Sequence, residues 1–184
     1  MVKKIFFFFI FALFINQSHA KENVMILKLK NGDVVIELFE EIAPNHVQRF
    51  KLLAKEKKYD GVIFNRVIDG FMAQTGYVKF CNSTLESFDT TRAGTGGSEY
   101  PYLKAEFSDI PHEWGTLSMA RSSSPNSANS QFFICFKSAP HLDRQYTVFG
   151  KVIQGMEFVD LIKRGESPNG EVTKPDKIIS LAAN

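Results

Sequence analysis

The chain has 184 residues, 22 basic against 20 acidic, and 44% of it is hydrophobic. That length suits one domain with a full core, and the near-neutral charge, densest at Lys55-Glu56-Lys57-Lys58, excludes the concentrated cationic surface that nucleic-acid binding requires. Two cysteines, Cys81 and Cys135, exclude a disulfide framework.

Lys3 and Lys4 precede an uninterrupted apolar run over residues 5–15, and Ser18 and Ala20 then place small residues where a signal peptidase reads. The pattern predicts a secretory signal peptide over residues 1–20, cleaved after Ala20, and a single domain over residues 21–184. An uncleaved anchor is the alternative. As a helix the apolar run reaches only about 16 Å, short of a hydrocarbon core of about 30 Å. Without Lys3 and Lys4 the charges balance, and no second long apolar stretch follows, so no membrane span is expected after cleavage.

Residues 26–30 and 34–38 are β-prone runs around Asn31-Gly32-Asp33, which predicts a hairpin. Ala43-Pro44-Asn45 opens a helix in which Val47, Phe50, Leu53 and Ala54 recur at three- and four-residue spacing, and Tyr59-Asp60-Gly61 stops it. Residues 62–68 read as a short strand closed by Asp69-Gly70, and residues 76–102 as a long polar loop. Strands are expected at 115–120, 131–136 and 147–153, a second helix at 156–163 and a last strand at 178–181. Several short strands with two helices favour a mainly β barrel or sandwich. Cys135, inside Phe132-Phe133-Ile134-Cys135-Phe136, reads as a small buried hydrophobe, although an exported chain could carry a Cys81–Cys135 disulfide. Asn82-Ser83-Thr84 fits a glycosylation sequon.

The stretch Phe64-Asn65-Arg66-Val67-Ile68-Asp69-Gly70-Phe71-Met72-Ala73-Gln74 resembles the active-site strand and turn of the cyclophilins. So do Gly94-Thr95-Gly96-Gly97, Gly115-Thr116-Leu117-Ser118-Met119-Ala120-Arg121, Pro125-Asn126-Ser127-Ala128-Asn129-Ser130-Gln131-Phe132-Phe133-Ile134, Leu142-Asp143 and Val148-Phe149-Gly150-Lys151-Val152. The resemblance runs from about residue 24 to 163. It implies a closed eight-stranded antiparallel β-barrel capped by two α-helices. It also implies peptidyl-prolyl cis-trans isomerase activity on proline-containing polypeptides, in a monomer without cofactor.

The chemistry such a site must perform is physical. An Xaa-Pro bond rotates over a barrier of about 20 kcal/mol because resonance stiffens C–N. A catalyst need break no bond; it must favour the twisted amide, and a gain of about a hundred-thousandfold corresponds to about 7 kcal/mol. Arg66 is the natural donor, permanently charged with N–H groups in a fixed plane. The resemblance implies that it bonds the proline carbonyl and meets the nitrogen losing conjugation, that Gln74 orients it, and that Phe71, Met72, Phe133 and Leu142 form the proline pocket. Ala120, Arg121 and Gln131 match positions lining the groove for the substrate backbone, and Gly94 matches a loop position close to it.

The chain departs from the family pattern at the rim. His141 stands where many members carry a tryptophan that helps bind cyclosporin, so weak cyclosporin binding is expected. Tyr146 stands where familiar eukaryotic members have a histidine, and it can still wall the pocket with one hydroxyl. Thr75-Gly76-Tyr77 replaces the usual Gly-Gly-Asp. His46, His112 and His141 lack metal-ligand spacing, so no metal is expected. Ser118, His112 and Asp109 supply the residue types of a hydrolase triad, but no nucleophile elbow accompanies them. The leader suits bacterial secretion and a periplasmic or secreted location, with a eukaryotic secretory route as the alternative.

Overall fold

The structure, a computed structural model, describes residues 23–184. The expected signal peptide over residues 1–20 lies outside the described residues.

Alternating apolar side chains make β1 (Val24–Leu29) and β2 (Gly32–Leu38) a half-buried antiparallel hairpin. Its turn is tighter than expected, because Gly32 already pairs with Leu29 and leaves only Lys30 and Asn31 in the turn. Helix α1 (Pro44–Lys55) follows, with proline in its first turn, where the missing N–H is harmless. Its buried stripe of Val47, Phe50, Leu53 and Ala54 matches the sequence spacing. Six further strands follow: β3 (Arg66–Ile68), β4 (Met72–Thr75), β5 (Thr116–Met119), β6 (Phe132–Cys135), β7 (Val148–Gln154) and β8 (Ser180–Ala183). Helix α2 (Met156–Asp160) separates the last two.

The eight strands form one antiparallel sheet in the order β3-β4-β6-β5-β7-β2-β1-β8. The edge strands share no ladder. Closure comes from the segments just before them, through a bridge between Ile63 and Lys177 and hydrogen bonds from Phe64 N–H to the Asp176 carbonyl (2.9 Å) and from Ile178 N–H to the Val62 carbonyl (2.9 Å). Only 66–68 of the expected 62–68 strand therefore joins the sheet, and Ile178 serves the seam, so the last strand starts later than expected.

Helix α2 ends earlier than its apolar pattern predicts. Arg164 Nη1 donates to the carbonyls of Asp160 (3.0 Å) and Ile162 (2.6 Å), at and just past its end. The loop at 76–102 is anchored, with Tyr77, Val78, Phe80 and Cys81 buried. Asn82 is buried there as well, accepting from Thr84 N–H and Oγ1, so the folded chain does not present the sequon asparagine at its surface.

Inside the sheet, Phe50, Tyr59, Phe132 and Phe149 meet with ring centroids 5.1–6.4 Å apart. Tyr59 satisfies its buried hydroxyl by donating to the Ser130 carbonyl at 2.9 Å. Cys81 and Cys135 are both buried and unpaired.

Candidate active site

The period of two along a strand decides where the site lies. Val67, Ala73, Phe132, Ile134, Leu117 and Met119 point into the barrel core. Their neighbours point out. Register sets Arg66 opposite Gln74, Gln74 opposite Phe133, and Phe133 opposite Ser118, one row across β3, β4, β6 and β5. The next pairs, Ile68 with Met72 and Met72 with Cys135, add an apolar row beside it.

On this outer face Met72, Ala120, Phe133, Cys135, Ala139 and Leu142 form a second apolar cluster, flanked by Ile68, Phe71 and Tyr146. A cavity of about 220 Å³ opens in it, lined by Arg66, Phe71, Met72, Gln74, Ala120, Arg121, Phe133, Leu142 and Tyr146. That volume suits a side chain or a proline ring, being below the range of about 300–1,000 Å³ usual for larger ligands. A short helical turn, Pro140–Leu142, delivers Leu142. Phe71 packs against His141 with ring centroids 5.4 Å apart, and Tyr146 meets Phe133 edge-on at 6.0 Å.

Arg66 is held at two of its three nitrogens. Nε donates to the Asn169 carbonyl at 3.0 Å and Nη1 to Gln74 Oε1 at 3.2 Å. Among the described residues Nη2 has no protein acceptor, and no carboxylate lies within ion-pair distance of the guanidinium. The charge is thus fixed in place without being neutralised. Arg121 is the other cation of the rim. It stacks over Tyr146 at 4.3 Å and donates to the carbonyls of Gln145, Ser122 and Ser123 at 2.9–3.2 Å.

Gly94 and Gln131 line an adjoining cavity of about 320 Å³ instead, shared with Gln74, Tyr77, Ala120 and Arg121. Gly94 has φ of 93°, and a Cβ there would meet nothing within 4 Å. Its backbone conformation, not crowding by the chain, is what calls for glycine.

A Ser–His–Asp line does exist, though with Asp143 rather than Asp109, which pairs with Arg144 at the surface. His112 Nδ1 lies 2.9 Å from Asp143 Oδ1 and Nε2 lies 2.9 Å from Ser118 Oγ. Ser118 is fully buried, so no substrate carbonyl reaches it. The line backs the pocket: the His112 ring stacks on Phe133 at 6.1 Å, and Asp143 follows Leu142. Nor are the thiols nucleophiles, because burial pushes Cys81 up to about 11 and Cys135 up to about 12. A fixed cation over an apolar pocket, without an activated nucleophile, suits a reaction that breaks no covalent bond.

Two partners of this site were not legible in the sequence. The Asn169 carbonyl comes from a loop that closes on β3 through a 2.7 Å bond from Val67 N–H to the Gly170 carbonyl. Pro168-Asn169-Gly170 announces a turn, but nothing in it announces Arg66. The other is Tyr77, whose hydroxyl accepts from Gln74 Nε2 at 2.6 Å.

Residues 24–183 match the family model described as "Cyclophilin type peptidyl-prolyl cis-trans isomerase/CLD". A probable peptidyl-prolyl cis-trans isomerase of Brucella suis is 60% identical over 159 residues, covering 86% of this chain and 81% of the relative. A peptidyl-prolyl cis-trans isomerase of Helicobacter pylori is 39% identical over 160 residues, covering 85% of this chain and 90% of its own. Among solved structures, a Cryptosporidium parvum cyclophilin crystallised in the presence of the dipeptide Ala-Pro superposes with a TM-score of 0.74 at 28% identity, over 88% of this chain and 98% of that one. By family match, relatives and fold alike, the chain belongs to the cyclophilin-type peptidyl-prolyl cis-trans isomerases.

Proposed function

We propose that this isomerase acts by electrostatic stabilisation from Arg66 of an amide twisted over the apolar pocket, and that it serves the folding of exported proteins. The observation that carries the mechanism is the guanidinium tethered at Nε and Nη1 with Nη2 left to donate. Met72, Phe133 and Leu142 offer the proline ring an apolar seat, with Phe71 and Tyr146 as walls. Seated there, the residue presents its carbonyl to a donor that needs no reorganisation as the amide loses resonance. Ala120, Arg121, Gln131 and Gly94 then flank the peptide on either side of the proline.

The folding role follows from the leader and from time scale. Uncatalysed Xaa-Pro isomerisation takes tens of seconds or more, long enough to limit folding after export. The periplasm or the secreted fraction is the compartment proposed, with the chain acting as a monomer. His141 in place of an indole gives weak cyclosporin inhibition.

An NMR exchange assay on an Xaa-Pro peptide, run on wild type and Arg66→Ala, tests the mechanism. Turnover lost with peptide binding retained supports it, whereas unchanged turnover overturns it. N-terminal sequencing of the exported protein tests the leader. A start at Lys21 supports cleavage, and a start at Met1 supports a retained anchor.

A further inference from the structure

The carboxamide of Gln74 has two chemically different ends, and the site uses both. Oε1 accepts from Arg66 Nη1 at 3.2 Å, while Nε2 donates to Tyr77 Oη at 2.6 Å. Gln74 is only 9% exposed and Tyr77 only 4%, so water does not readily replace either partner. An amide bound at one end can still pivot about that contact, whereas one bound at both ends has its plane and its sense fixed.

Tyr77 is itself held. It packs with Ile63 and Cys81, and its carbonyl accepts from Cys81 N–H at 2.9 Å. Ahead of it, Ser130 Oγ donates to the Gly76 carbonyl at 2.7 Å, tying this turn to the residues entering β6. The Asn65 side chain adjoins the hydroxyl, and its own Oδ1 is buried without a hydrogen-bond partner. Burial raises the phenol above its ordinary range, with Asn65 and the Arg66 charge working against the shift, so it keeps its proton at neutral pH.

We propose that Tyr77 is a positioning residue for isomerisation: its hydroxyl fixes the Gln74 amide, and the Gln74 amide aims the Arg66 guanidinium. This rests on the reading of Arg66 as the donor to substrate. Tyr77 stands where the family pattern has an acidic residue, and the phenol does what a carboxylate there could not do without placing a charge beside the guanidinium. It accepts from Nε2 while leaving the Arg66 charge whole for the substrate.

The test compares Tyr77→Phe, Gln74→Ala, the double variant and Arg66→Ala, each in the full chain, by NMR exchange on one Xaa-Pro peptide with rates referred to the folded fraction. Losing one buried hydrogen bond should lower kcat about 2- to 12-fold in Tyr77→Phe with KM nearly unchanged. In the Gln74→Ala background the same substitution should change kcat by less than about twofold, because the relay is already cut. A 15N spectrum at low temperature, where a weakened variant stays folded, should show faster exchange of the Arg66 Nε–H in Tyr77→Phe. Unchanged kcat in Tyr77→Phe, or a loss equally large with and without Gln74, overturns the proposal while Arg66→Ala remains inactive. An active Arg66→Ala overturns instead the mechanism on which it rests.

Discussion

Phe132 and Phe133, consecutive in β6, face opposite sides of the sheet: Phe132 meets Phe50 edge-on at 5.1 Å inside the barrel, and Phe133 stacks on His112 at 6.1 Å in the pocket wall. One peptide unit separates the residue that holds the fold from the residue that walls the pocket. The same truncation should therefore have different consequences. Phe132→Ala leaves a void among Phe50, Tyr59 and Phe149 and should lower stability by about 3–5 kcal/mol. Phe133→Ala opens into an existing cavity, so its stability loss should be smaller and KM should rise roughly tenfold, about 1.4 kcal/mol of apolar contact. Urea melts and peptide titrations of the two variants separate these outcomes.

Arg66→Lys keeps the charge and loses the fork. A lysine ammonium cannot hold the Asn169 carbonyl and Gln74 Oε1 in one plane while donating to a third group. Activity should fall about a hundredfold, as for loss of one preorganised donor, with little change in melting temperature. Near-normal turnover in Arg66→Lys would show that charge alone suffices and that aim is unimportant.

How much of this was legible beforehand follows from which interactions are local. The hairpin, α1 and the cores of β5, β6 and β7 were readable because period and turn chemistry are local. The outer apolar cluster was readable because the motifs carry it. Eight of the nine residues lining the smaller cavity lie in those motifs, and Tyr146 stands between two of them. What the sequence hid depends on distant partners. Residues 62–64 are as β-prone as 66–68, yet they serve the seam because Asp176 and Ile178 meet them there. Helix α2 stops where Arg164 takes the carbonyl of its last residue, Asp160. Asn169 reaches Arg66 across a separation of 103 residues, and through a carbonyl, which every residue possesses.

Gly76 has φ of 91°, and a Cβ there would lie 2.5 Å from the Ser130 carbonyl oxygen and 2.9 Å from Gln131 Cα. Both obstacles are backbone, so no side chain can swing away. Ser130 also accepts from Tyr59, which couples this turn to the aromatic core. Gly76→Ala should lower stability by about 1–3 kcal/mol. Because Tyr77 is the next residue, kcat of the folded fraction should fall as well. A melt within error of wild type would contradict the steric reading.

Acid should weaken the fold before any carboxylate titrates, because two histidines are held neutral. His46 is fully buried, with Nδ1 2.6 Å from Glu106 Oε2 and Nε2 without a partner. His112 is nearly as buried, between Asp143 and Ser118. Burial lowers both pKa values, and the neighbouring carboxylates only partly oppose it. The unfolded chain, with histidines near about 6.5, then binds more protons than the folded one as pH drops below that value. Their contribution is complete above about 6.5 and is lost as pH falls through the lower folded values. The carboxylates extend the loss further into acid. Hydrogen bonds from His112 hold Asp143 below its ordinary range, and those from His46 and Asn45 do the same for Glu106 against the pull of its burial. Urea midpoints should therefore fall between about pH 7.5 and about pH 5.5, and His46→Gln with His112→Gln should flatten that slope. Were either histidine instead a charged partner with a raised pKa, the same acidification would strengthen the fold, so the sign of the slope decides between the two.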